Sequence, residues 1–315
     1  MKNILVTGGT GFVGTSICQF LIKKGYYVVS FDNGSRKNRK NEFLKNKNIK
    51  FFNGNILNKK DLFKIKIKFD AIIHLAFING TKFFYEKPDE IINVGVIGML
   101  NIMEFAKKRN IKEFYLASSS EVYQTPLKIP TDEKEPMKVP NPYNPRYSYG
   151  GSKIMSELIA INFGKLFLKK LVIFRPHNVY GPNMGNEHVI PEIIKKISDA
   201  KKNGAEFITI QGSGQETRTF NYIDDFTQGI GILIDKAKKF NTFNIGDQKE
   251  VSIRYLVEKI MNLMKVKLKI QTTNLTKGST LRRKPNISKI KKLGYRPSTT
   301  LSAGLQKTIS WYLKN

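Results

Sequence analysis

Short apolar runs alternate with longer amphipathic stretches through the first 175 residues of the chain. The runs predict six strands, at residues 3–7, 27–31, 49–53, 71–75, 113–118 and 171–175. Helical apolar spacing occurs between them, near residues 12–24, 59–65, 86–109 and 149–168. Apolar strands that alternate with helices predict an α/β fold, a doubly wound parallel sheet covered by helices on both faces.

The rhythm loosens after Pro176, where glycine and proline turns separate shorter elements. We therefore expect two domains. Residues 1–176 would hold the sheet, and residues 177–315 would form mainly a smaller α/β domain that caps it. The segment 220–247 is expected to return to the first domain. Residues 129–146 are rich in proline, asparagine and charge, and we interpret them as a loop over the cleft.

A glycine-rich turn follows the first strand directly. Gly9, Gly11 and Gly14 satisfy the G-x-G-x-x-G pattern, and Gly8, Gly11 and Gly14 satisfy a G-x-x-G-x-x-G spacing. The helix that begins near Phe12 would present free N–H groups and a partial positive charge to a pyrophosphate. The alternative is an ordinary strand–turn–helix whose glycines serve only packing.

The end of the second strand favours the dinucleotide interpretation. Asp32 lies there, at about the expected distance downstream of the glycines. Its carboxylate could bind both hydroxyls of an adenosine ribose, which favours NAD over NADP. The basic residues Arg36, Lys37 and Arg39 follow and could accept a 2′-phosphate, so NADP stays open as the alternative.

In a doubly wound sheet, ligands bind beyond the carboxyl ends of the strands. The predicted strand ends therefore define one cleft. Five segments should converge on it: residues 7–14, Asp32, residues 75–77, residues 118–121 and residues 176–178.

The chain is strongly basic, with 54 Lys and Arg against 25 Asp and Glu and a formal net charge of +29. The lysines are spread over the whole length, and basic runs such as 36–40 and 289–292 are short. Solvated faces explain this distribution better than a nucleic-acid-binding stripe. We expect no nucleic-acid partner, and an anionic small substrate would suit the charge.

The cysteines, histidines and apolar runs argue against a disulfide-bonded, a metal-binding and a membrane-spanning protein. Cys18 is the only cysteine, so no internal disulfide can form, a reducing cytoplasm fits, and a packing role is expected for it. His74, His177 and His188 lie far apart and lack metal-ligand spacing, so no metal is expected. No apolar run approaches the roughly 20 residues of a bilayer span, and no membrane partner is expected.

Tyr149 and Lys153 are four residues apart and share a face of a predicted helix. An ammonium near a phenol lowers the phenol pKa from about 10 towards neutrality, which yields a base for a sugar hydroxyl. About two such pairs are expected by chance among 13 tyrosines. Tyr255 and Lys259 form another, which we assign to an ordinary helix. The position of the first pair, downstream of a serine-rich strand end, favours it.

The fifth strand runs into Ser118, Ser119, Ser120 and Glu121. A hydroxyl at this strand end could hold the substrate oxygen beside Tyr149, or the serines could satisfy only their own backbone. Glu121 could remove the acidified C5 proton of a 4-keto sugar. The alternative for Glu121 is an exposed charge or an acceptor for backbone N–H groups.

Ten short motifs occur in a fixed order: Thr7–Gly14, Asp32-Asn33, Gly54-Asn55-Ile56, His74-Leu75-Ala76, Asn93-Val94, Ser118–Tyr123, Tyr149–Lys153, Arg175–Pro182, Phe220–Asp225 and Arg282–Pro285. Together they resemble extended short-chain dehydrogenases/reductases of the NAD-dependent epimerase/dehydratase family, which act on nucleotide sugars. The similarity covers essentially the whole chain and implies a Rossmann-like NAD-binding domain with a substrate-binding domain.

The resemblance also implies residue roles. The NAD cofactor would be held by Gly8, Gly11, Phe12, Val13, Asp32, Asn33, Asn55, Ile56, Leu75, Ala76, Phe77, Asn93, Tyr149, Lys153 and Pro176. The catalytic group would be Ser119, Tyr149, Lys153 and Glu121. The substrate would be held by Ser120, Asn178, Arg218 and an arginine of the pair Arg282 and Arg283. Three positions depart from the family pattern: Asn55 replaces a common Asp, Phe77 a common Ala and Gln124 a common Gly.

The family's reactions begin with oxidation of C4 of a nucleotide-diphosphate sugar. The outcome then stays open between 4-epimerisation and 4,6-dehydration, with sugar-acid decarboxylation as the alternative. The order Ser119-Ser120-Glu121 resembles dehydratases and decarboxylases. A non-catalytic NAD(P)-binding sensor or scaffold is the alternative from another class, and such proteins typically lose the Tyr or the Lys. Relatives usually form homodimers through the helices at 86–109 and 149–168.

Overall fold

A seven-stranded parallel sheet forms the centre of the fold in the computed structural model, which describes residues 2–35, 42–275 and 278–315. The strand order is β11-β6-β5-β4-β1-β2-β3. The strands are β1 (Asn3–Thr7), β2 (Tyr27–Asp32), β3 (Ile49–Asn53), β4 (Ala71–His74), β5 (Glu113–Ala117), β6 (Lys170–Pro176) and β11 (Phe240–Ile245). The prediction of an α/β fold with a doubly wound parallel sheet is confirmed.

Helices pack on both faces of this sheet because its central strands are apolar on both sides. In β1, Ile4, Leu5 and Val6 are almost fully buried, and their side chains belong to two hydrophobic clusters. The helices of this part are α1 (Phe12–Lys23), α2 (Lys59–Phe63), α3 (Thr81–Glu86), α4 (Pro88–Asn93), α5 (Met99–Lys108), α6 (Tyr147–Gly164) and α8 (Ile223–Lys236).

Smaller sheets and further helices follow the sixth strand of the chain. Two short parallel pairs join β7 (Val179–Tyr180) to β10 (Asn221–Tyr222) and β8 (Phe207–Gln211) to β13 (Lys269–Thr273). A third sheet has the order β12-β9-β14, formed by Glu250–Ser252, Thr217–Thr219 and Arg282–Arg283. The remaining helices are α7 (Val189–Lys202), α9 (Ile253–Met264), α10 (Ser288–Lys291) and α11 (Leu301–Lys314).

The helix predicted near 86–109 is found at residues 88–108. It consists of α4, a π-helical turn at Val94–Gly98 and α5 in one continuous run, and the short helix α3 precedes it. Pro88 is the first residue of α4, where its missing N–H costs nothing. Gly95 lies so close to α6 that a Cβ atom there would be 2.6 Å from Cβ of Ser152. The wider turn accompanies this close approach between the helices.

Two other segments bear on the sequence predictions. Residues 124–146 run as bends and turns rather than as a helix, and Arg146 at their end lines the central cleft. Cys18 lies buried within α1, and burial raises the pKa of its thiol, so its environment is that of a packing residue. Among the helices in the described ranges, none is long and apolar enough to span a bilayer.

Candidate active site

One cleft of about 510 Å³ lies at the carboxyl ends of the central strands. All five segments predicted to converge there contribute to its lining. Gly8 and Thr10 to Gly14 line it after β1, and Asp32 lines it at the end of β2. Residues 75–77, residues 118–121 and the pair Pro176 and Asn178 complete these contributions. The rule that ligands bind at the carboxyl ends of the strands therefore predicted, from the sequence, which segments line this cleft.

The glycine turn before α1 is packed tightly against neighbouring backbone atoms, and a side chain would prevent this packing. Gly8 has a φ of +71°, and a Cβ atom there would lie 2.7 Å from the backbone nitrogen of Ala76. A Cβ atom on Gly14 would lie 2.0 Å from the carbonyl oxygen of Gly8. The turn thus needs glycine at both positions to bring α1 against the cleft.

The start of α1 has the chemistry of an anion site. Gly11 is its N-cap and has no side chain that could cap the helix, and no acidic residue occurs in the first turn. Gly11, Phe12 and Val13 line the cleft, so the first N–H groups and the positive end of the helix dipole face it. This arrangement fits a pyrophosphate.

Asp32 is oriented by the backbone around it. Its Oδ1 accepts a hydrogen bond from the N–H of Gly34 at 2.8 Å, and its Oδ2 accepts one from Thr10 at 3.1 Å. The carboxylate is therefore fixed beside the glycine turn. The predicted neighbours Asn33, Asn55 and Ile56 also line the cleft.

The basic residues that would favour NADP, Arg36, Lys37 and Arg39, lie outside the described residues. Asn93 is exposed on α4 and is absent from the cleft lining, where Val94 appears instead. The helix turn at that point directs the following residue inwards, and the side chain of Asn93 does not line the predicted cofactor path.

Ser119 and Tyr149 meet in the cleft. Ser119 precedes a short 3₁₀ turn, Ser120–Tyr123, and its Oγ accepts a hydrogen bond from the N–H of Glu121 at 3.1 Å. The Ser119 hydroxyl also lies close enough to the Tyr149 phenol to act on it by hydrogen bonding, which opposes the rise in the phenol pKa. Phe84 stacks on the Tyr149 ring with centroids 4.7 Å apart. The phenol is thus held on a hydroxyl on one side and an aromatic ring on the other.

The charge state expected for Tyr149 is not found. Burial raises its pKa above the ordinary value, and the hydrogen bond with Ser119 and the positive charge of Arg283 only partly oppose this. The sequence predicted a lowered pKa because Lys153 lies one helical turn away. However, the Lys153 ammonium lies 5.8 Å from the centre of the Tyr149 ring, over a different side chain. Spacing along a helix does not determine where a long side chain ends.

Lys153 is buried, with 4% of its surface exposed. Its Nζ donates a hydrogen bond to the carbonyl oxygen of Ala117 at 2.8 Å and lies 3.7 Å from the centre of the Phe77 ring. Burial lowers the pKa of Lys153 to about 7, and the negative charge of Glu157 opposes this. Burial therefore makes the proton of this ammonium easier to lose than that of an exposed lysine.

Glu121 is held by an arginine. Its Oε1 accepts a hydrogen bond from Nη1 of Arg283 at 2.7 Å. Burial alone would raise the pKa of this carboxyl, but the positive charges of Arg283, Arg146 and Arg218 outweigh it and hold the pKa below its ordinary value. Glu121 is thus a carboxylate at neutral pH.

Three arginines gather around that single carboxylate. Arg146, Arg218 and Arg283 all line the cleft. Burial, together with the charges of Arg283 and Arg146, lowers the pKa of Arg218 to about 10. Such a concentration of positive charge suits a ligand that carries more than one negative charge.

The structure distinguishes the two neighbouring arginines of β14. Arg283 points into the cleft, whereas Arg282 is half exposed and forms two hydrogen bonds with Glu250 at 2.7 and 2.9 Å outside it. Of the predicted substrate residues, Ser120, Asn178, Arg218 and Arg283 line the cleft, and Arg282 does not. Alternating side-chain direction along a strand explains the difference.

A buried polar network behind the site was missed from the sequence. Arg175 at the end of β6 binds Glu157 of α6 through Nε at 2.8 Å and Nη2 at 2.6 Å. Glu157 also accepts a hydrogen bond from Ser118, and Arg175 donates to the Tyr123 hydroxyl at 2.7 Å. The available signal was the position of Glu157, one turn beyond Lys153. The network ties α6 to the ends of β5 and β6.

Comparison with known proteins agrees with this geometry. The profile of the NAD dependent epimerase/dehydratase family matches residues 4–246. The chain belongs to this family. The UDP-glucuronate 4-epimerase of Thermodesulfobacterium geofontis is 32% identical over all of this chain and 97% of its own length. The UDP-N-acetyl-alpha-D-glucosaminuronate decarboxylase of Bacillus cytotoxicus is 29% identical over 99% of this chain and 98% of its own.

The fold is shared with a crystal structure of a dTDP-glucose 4,6-dehydratase from Streptomyces venezuelae, which has NAD and TYD bound. The TM-score is 0.88 at 25% identity, with 99% of this chain and 97% of that chain covered. The family is NAD dependent, and this neighbour was solved with NAD bound. The cofactor is therefore NAD. Members close to this chain thus include an epimerase, a decarboxylase and a dehydratase.

Proposed function

We propose that this protein oxidises C4 of a nucleotide-diphosphate hexose to a 4-keto intermediate and then completes an epimerisation or a dehydration. The juxtaposition of Ser119, Tyr149 and Lys153 in the cleft that the glycine turn borders carries this proposal. Tyr149 would act as a phenolate, a form that the positive charges of Arg283 and of a bound cofactor ring would favour, and would take the proton of the C4 hydroxyl while a hydride leaves C4 and the C4 carbonyl forms. Ser119 would hold the C4 oxygen in place.

Bound NAD would accept the hydride and place a positively charged ring near the phenol. We propose that Gly8, Gly11, Phe12 and Val13 bind its pyrophosphate and that Asp32 binds the adenosine ribose. The other predicted contacts that line the cleft would border it: Asn33, Asn55, Ile56, Leu75, Ala76, Phe77 and Pro176. Lys153 would use a remaining N–H for the nicotinamide-side ribose.

The arginine cluster would hold the substrate's diphosphate. Arg146, Arg218 and Arg283 together carry three positive charges against the one negative charge of Glu121. A diphosphate supplies two negative charges and would balance the group. Ser120 and Asn178 would contribute hydrogen bonds. In this proposal residues 1–176 mainly hold NAD, and residues 177–315 mainly hold the substrate.

The step after oxidation is proposed to depend on Glu121. Oxidation at C4 acidifies the C5 proton, which a carboxylate in the cleft can remove. In a 4,6-dehydration, Glu121 would take this proton and pass it to the C6 hydroxyl, which leaves as water. The hydride would then return to C6 while C5 takes up a proton, which balances the proton that Tyr149 removed from the C4 hydroxyl. In a 4-epimerisation, the ketone turns over and the hydride returns to C4 on its other face, with no role for Glu121 at C5.

Decarboxylation is the second candidate because of Arg283. Its guanidinium is buried in the cleft beside Glu121 and could grip the C6 carboxylate of a sugar acid through two hydrogen bonds. Loss of carbon dioxide from the 4-keto acid would then leave a carbanion at C5 that takes up a proton, and the hydride would return to C4.

One experiment distinguishes these outcomes. The protein is incubated with NAD and a panel of UDP- and dTDP-linked hexoses and hexuronates, and the products are identified by mass and NMR. Loss of water indicates dehydration, an isobaric product epimerisation, and loss of carbon dioxide decarboxylation. Tight NAD binding with no reduction and no product across the panel would support the non-catalytic sensor or scaffold instead. Y149F, which removes the phenolic hydroxyl, is the negative control.

We further propose a homodimer formed by two helices from each subunit. Exposed apolar side chains lie on the helices around 88–108 and on α6, among them Ile92, Ile97, Leu100, Met155, Leu158 and Phe163. A second copy of the same surface would cover them. Light scattering should give twice the chain mass, and L158E should give the monomer. L313E, which changes an exposed leucine on α11, is the matched control.

A further inference from the structure

The surroundings of the Lys153 ammonium are unusually specific. One N–H is used by the carbonyl oxygen of Ala117 at 2.8 Å. The face of the Phe77 ring covers a second direction, with the nitrogen 3.7 Å from the ring centre. Because an ammonium has three donors, one direction is left for a ligand. The lysine is thus confined by a carbonyl and an aromatic face.

Little else near Lys153 compensates for the loss of water around its charge. Glu157, one turn along α6, attracts the ammonium, but its two oxygens already bind Arg175 and Ser118. His74 on β4 is neutral, since burial lowers its pKa to about 3. Tyr149 on α6 presents its ring centre at 5.8 Å. The nearest favourable partners are therefore the Ala117 carbonyl and the Phe77 ring.

The packing provides room for the ring of Phe77. A Cβ atom on Gly95 would lie 3.1 Å from Cζ of Phe77, so glycine at that position lets the ring lie flat against the lysine. The same ring forms a T-shaped contact with Tyr149, with centroids 5.2 Å apart and planes at 89°. Phe77 thus contacts both members of the Tyr149–Lys153 pair.

We propose that Phe77 is a positioning residue, which keeps the Lys153 ammonium charged through a cation–π contact and leaves one N–H directed at the cleft. This rests on the proposed function of the Tyr149–Lys153 pair. A desolvated cation over an aromatic face is strongly stabilised relative to the neutral amine. Without the ring, burial would favour the neutral amine at neutral pH.

The test measures the titration of Lys153 directly, in the full-length protein with and without NAD. Lysine is labelled with ¹³C at Cε, and the Lys153 NMR signal is assigned with K153R. F77L removes the aromatic face and should move the titration midpoint to lower pH by about one pH unit. F77Y keeps a ring and should restore the midpoint. F83L makes the same Phe→Leu change in the same small cluster, away from the cleft lining, and should leave the midpoint unchanged.

A fluorinated phenylalanine at position 77 separates the electrostatic effect from packing, since fluorine weakens the negative ring face and nearly keeps its shape. The titration midpoint of Lys153 should fall stepwise as fluorines are added. If F77L does not fold, this series alone tests whether the ring face stabilises the ammonium. An unchanged midpoint in the fluorinated series, or an equal shift in F83L, overturns the proposal. The Lys153 titration can be measured without any enzymatic turnover. It therefore tests the role of Phe77 even if no substrate is found.

Discussion

Nη1 of Arg283 donates a hydrogen bond to Oε1 of Glu121 at 2.7 Å, and the two residues lie 162 positions apart in the sequence. Glu121 follows the fifth strand of the central sheet, and Arg283 lies on the short strand β14. The contact therefore joins the turn after β5 to the strand β14 across the cleft. It also fixes the carboxylate whose chemistry would separate a dehydratase from a 4-epimerase.

Replacement of Glu121 by glutamine should separate two steps of the proposed reaction. If Glu121 removes the C5 proton, E121Q should lower deuterium incorporation at C5 from D₂O by at least about 100-fold. Oxidation at C4 should persist, because Ser119, Tyr149 and Lys153 are unchanged. NMR of the product made in D₂O measures the first effect, and absorbance of reduced cofactor measures the second.

E250Q is the matched control for E121Q. Glu250 also pairs with an arginine, Arg282, but outside the main cleft. It should keep C5 exchange at the wild-type rate. Equal loss of C5 exchange in both variants, or full exchange in E121Q, would refute the role given to Glu121.

Arg283 and Arg282 should respond differently to the same substitution. R283Q leaves Glu121 buried without its ion-pair partner, so the free energy of unfolding should fall by about 3 kcal/mol. Affinity for a nucleoside diphosphate should fall about 10- to 100-fold. R282Q removes a half-exposed pair and should cost less than about 1 kcal/mol. Urea denaturation and calorimetric titration with UDP and dTDP measure these effects, and similar losses in both variants would count against the cleft role of Arg283.

The carboxylate of Asp32 should determine the affinity for NAD. D32N keeps the size of the side chain but removes the charge that strengthens hydrogen bonds to ribose hydroxyls, so NAD affinity should fall about 10- to 100-fold. The preference for NAD over NADP should narrow at the same time. D70N is the control, since Asp70 accepts a hydrogen bond from the N–H of Asn3 at the opposite end of the sheet. Calorimetric titration with NAD and with NADP measures both affinities. An unchanged NAD affinity in D32N would disprove the assignment of Asp32 to the adenosine ribose.

Two buried histidines should make the protein sensitive to mild acid. Burial lowers the pKa of His74 and of His177 to about 3, from an ordinary value of 6.5. Below pH 6.5 the unfolded chain takes up protons that the folded chain does not. The free energy of unfolding should therefore decline as pH falls from 6.5 towards 3, by about 1.4 kcal/mol per pH unit for each histidine.

The variant H74N tests this pH dependence at one site. The Thr7 hydroxyl lies 2.7 Å from Nδ1 of His74, and an asparagine oxygen can replace that ring nitrogen. Urea denaturation between pH 5 and 6.5 should show a slope reduced by about 1.4 kcal/mol per pH unit. A slope equal to that of the wild type would mean that His74 is not the group that takes up the proton.

The sequence was sufficient for those features that depend on local patterns. Apolar runs located six of the seven strands of the central sheet, and the seventh, β11, lies in the segment expected only to return to the first domain. The rule about strand ends located the cleft. The glycine turn could be predicted because it lies within one short segment of the sequence. A side chain at Gly8 or Gly14 would collide with neighbouring backbone atoms, so glycine is required at both positions. The family comparison then supports NAD and nucleotide-sugar chemistry at the level of the family.

Features that depend on distant side chains could not be predicted. The Lys153 ammonium lies over Phe77 rather than at the Tyr149 phenol, and no spacing along α6 contains that information. The choice of Arg283 over Arg282 depends on which face β14 turns to the cleft. The π-helical turn at Val94–Gly98 accompanies the close approach of Gly95 to α6, a tertiary contact.

The position of β11 has a consequence for how the protein can be handled. This strand is formed by residues 240–245, yet it pairs along its whole length with β6, which ends at residue 176. A fragment cut after residue 176 would leave the hydrogen-bonding edge of β6 uncovered, and exposed edges of this kind recruit other chains. Such a fragment should aggregate on expression, so cofactor binding has to be studied on the whole chain, and fusion partners belong at its ends.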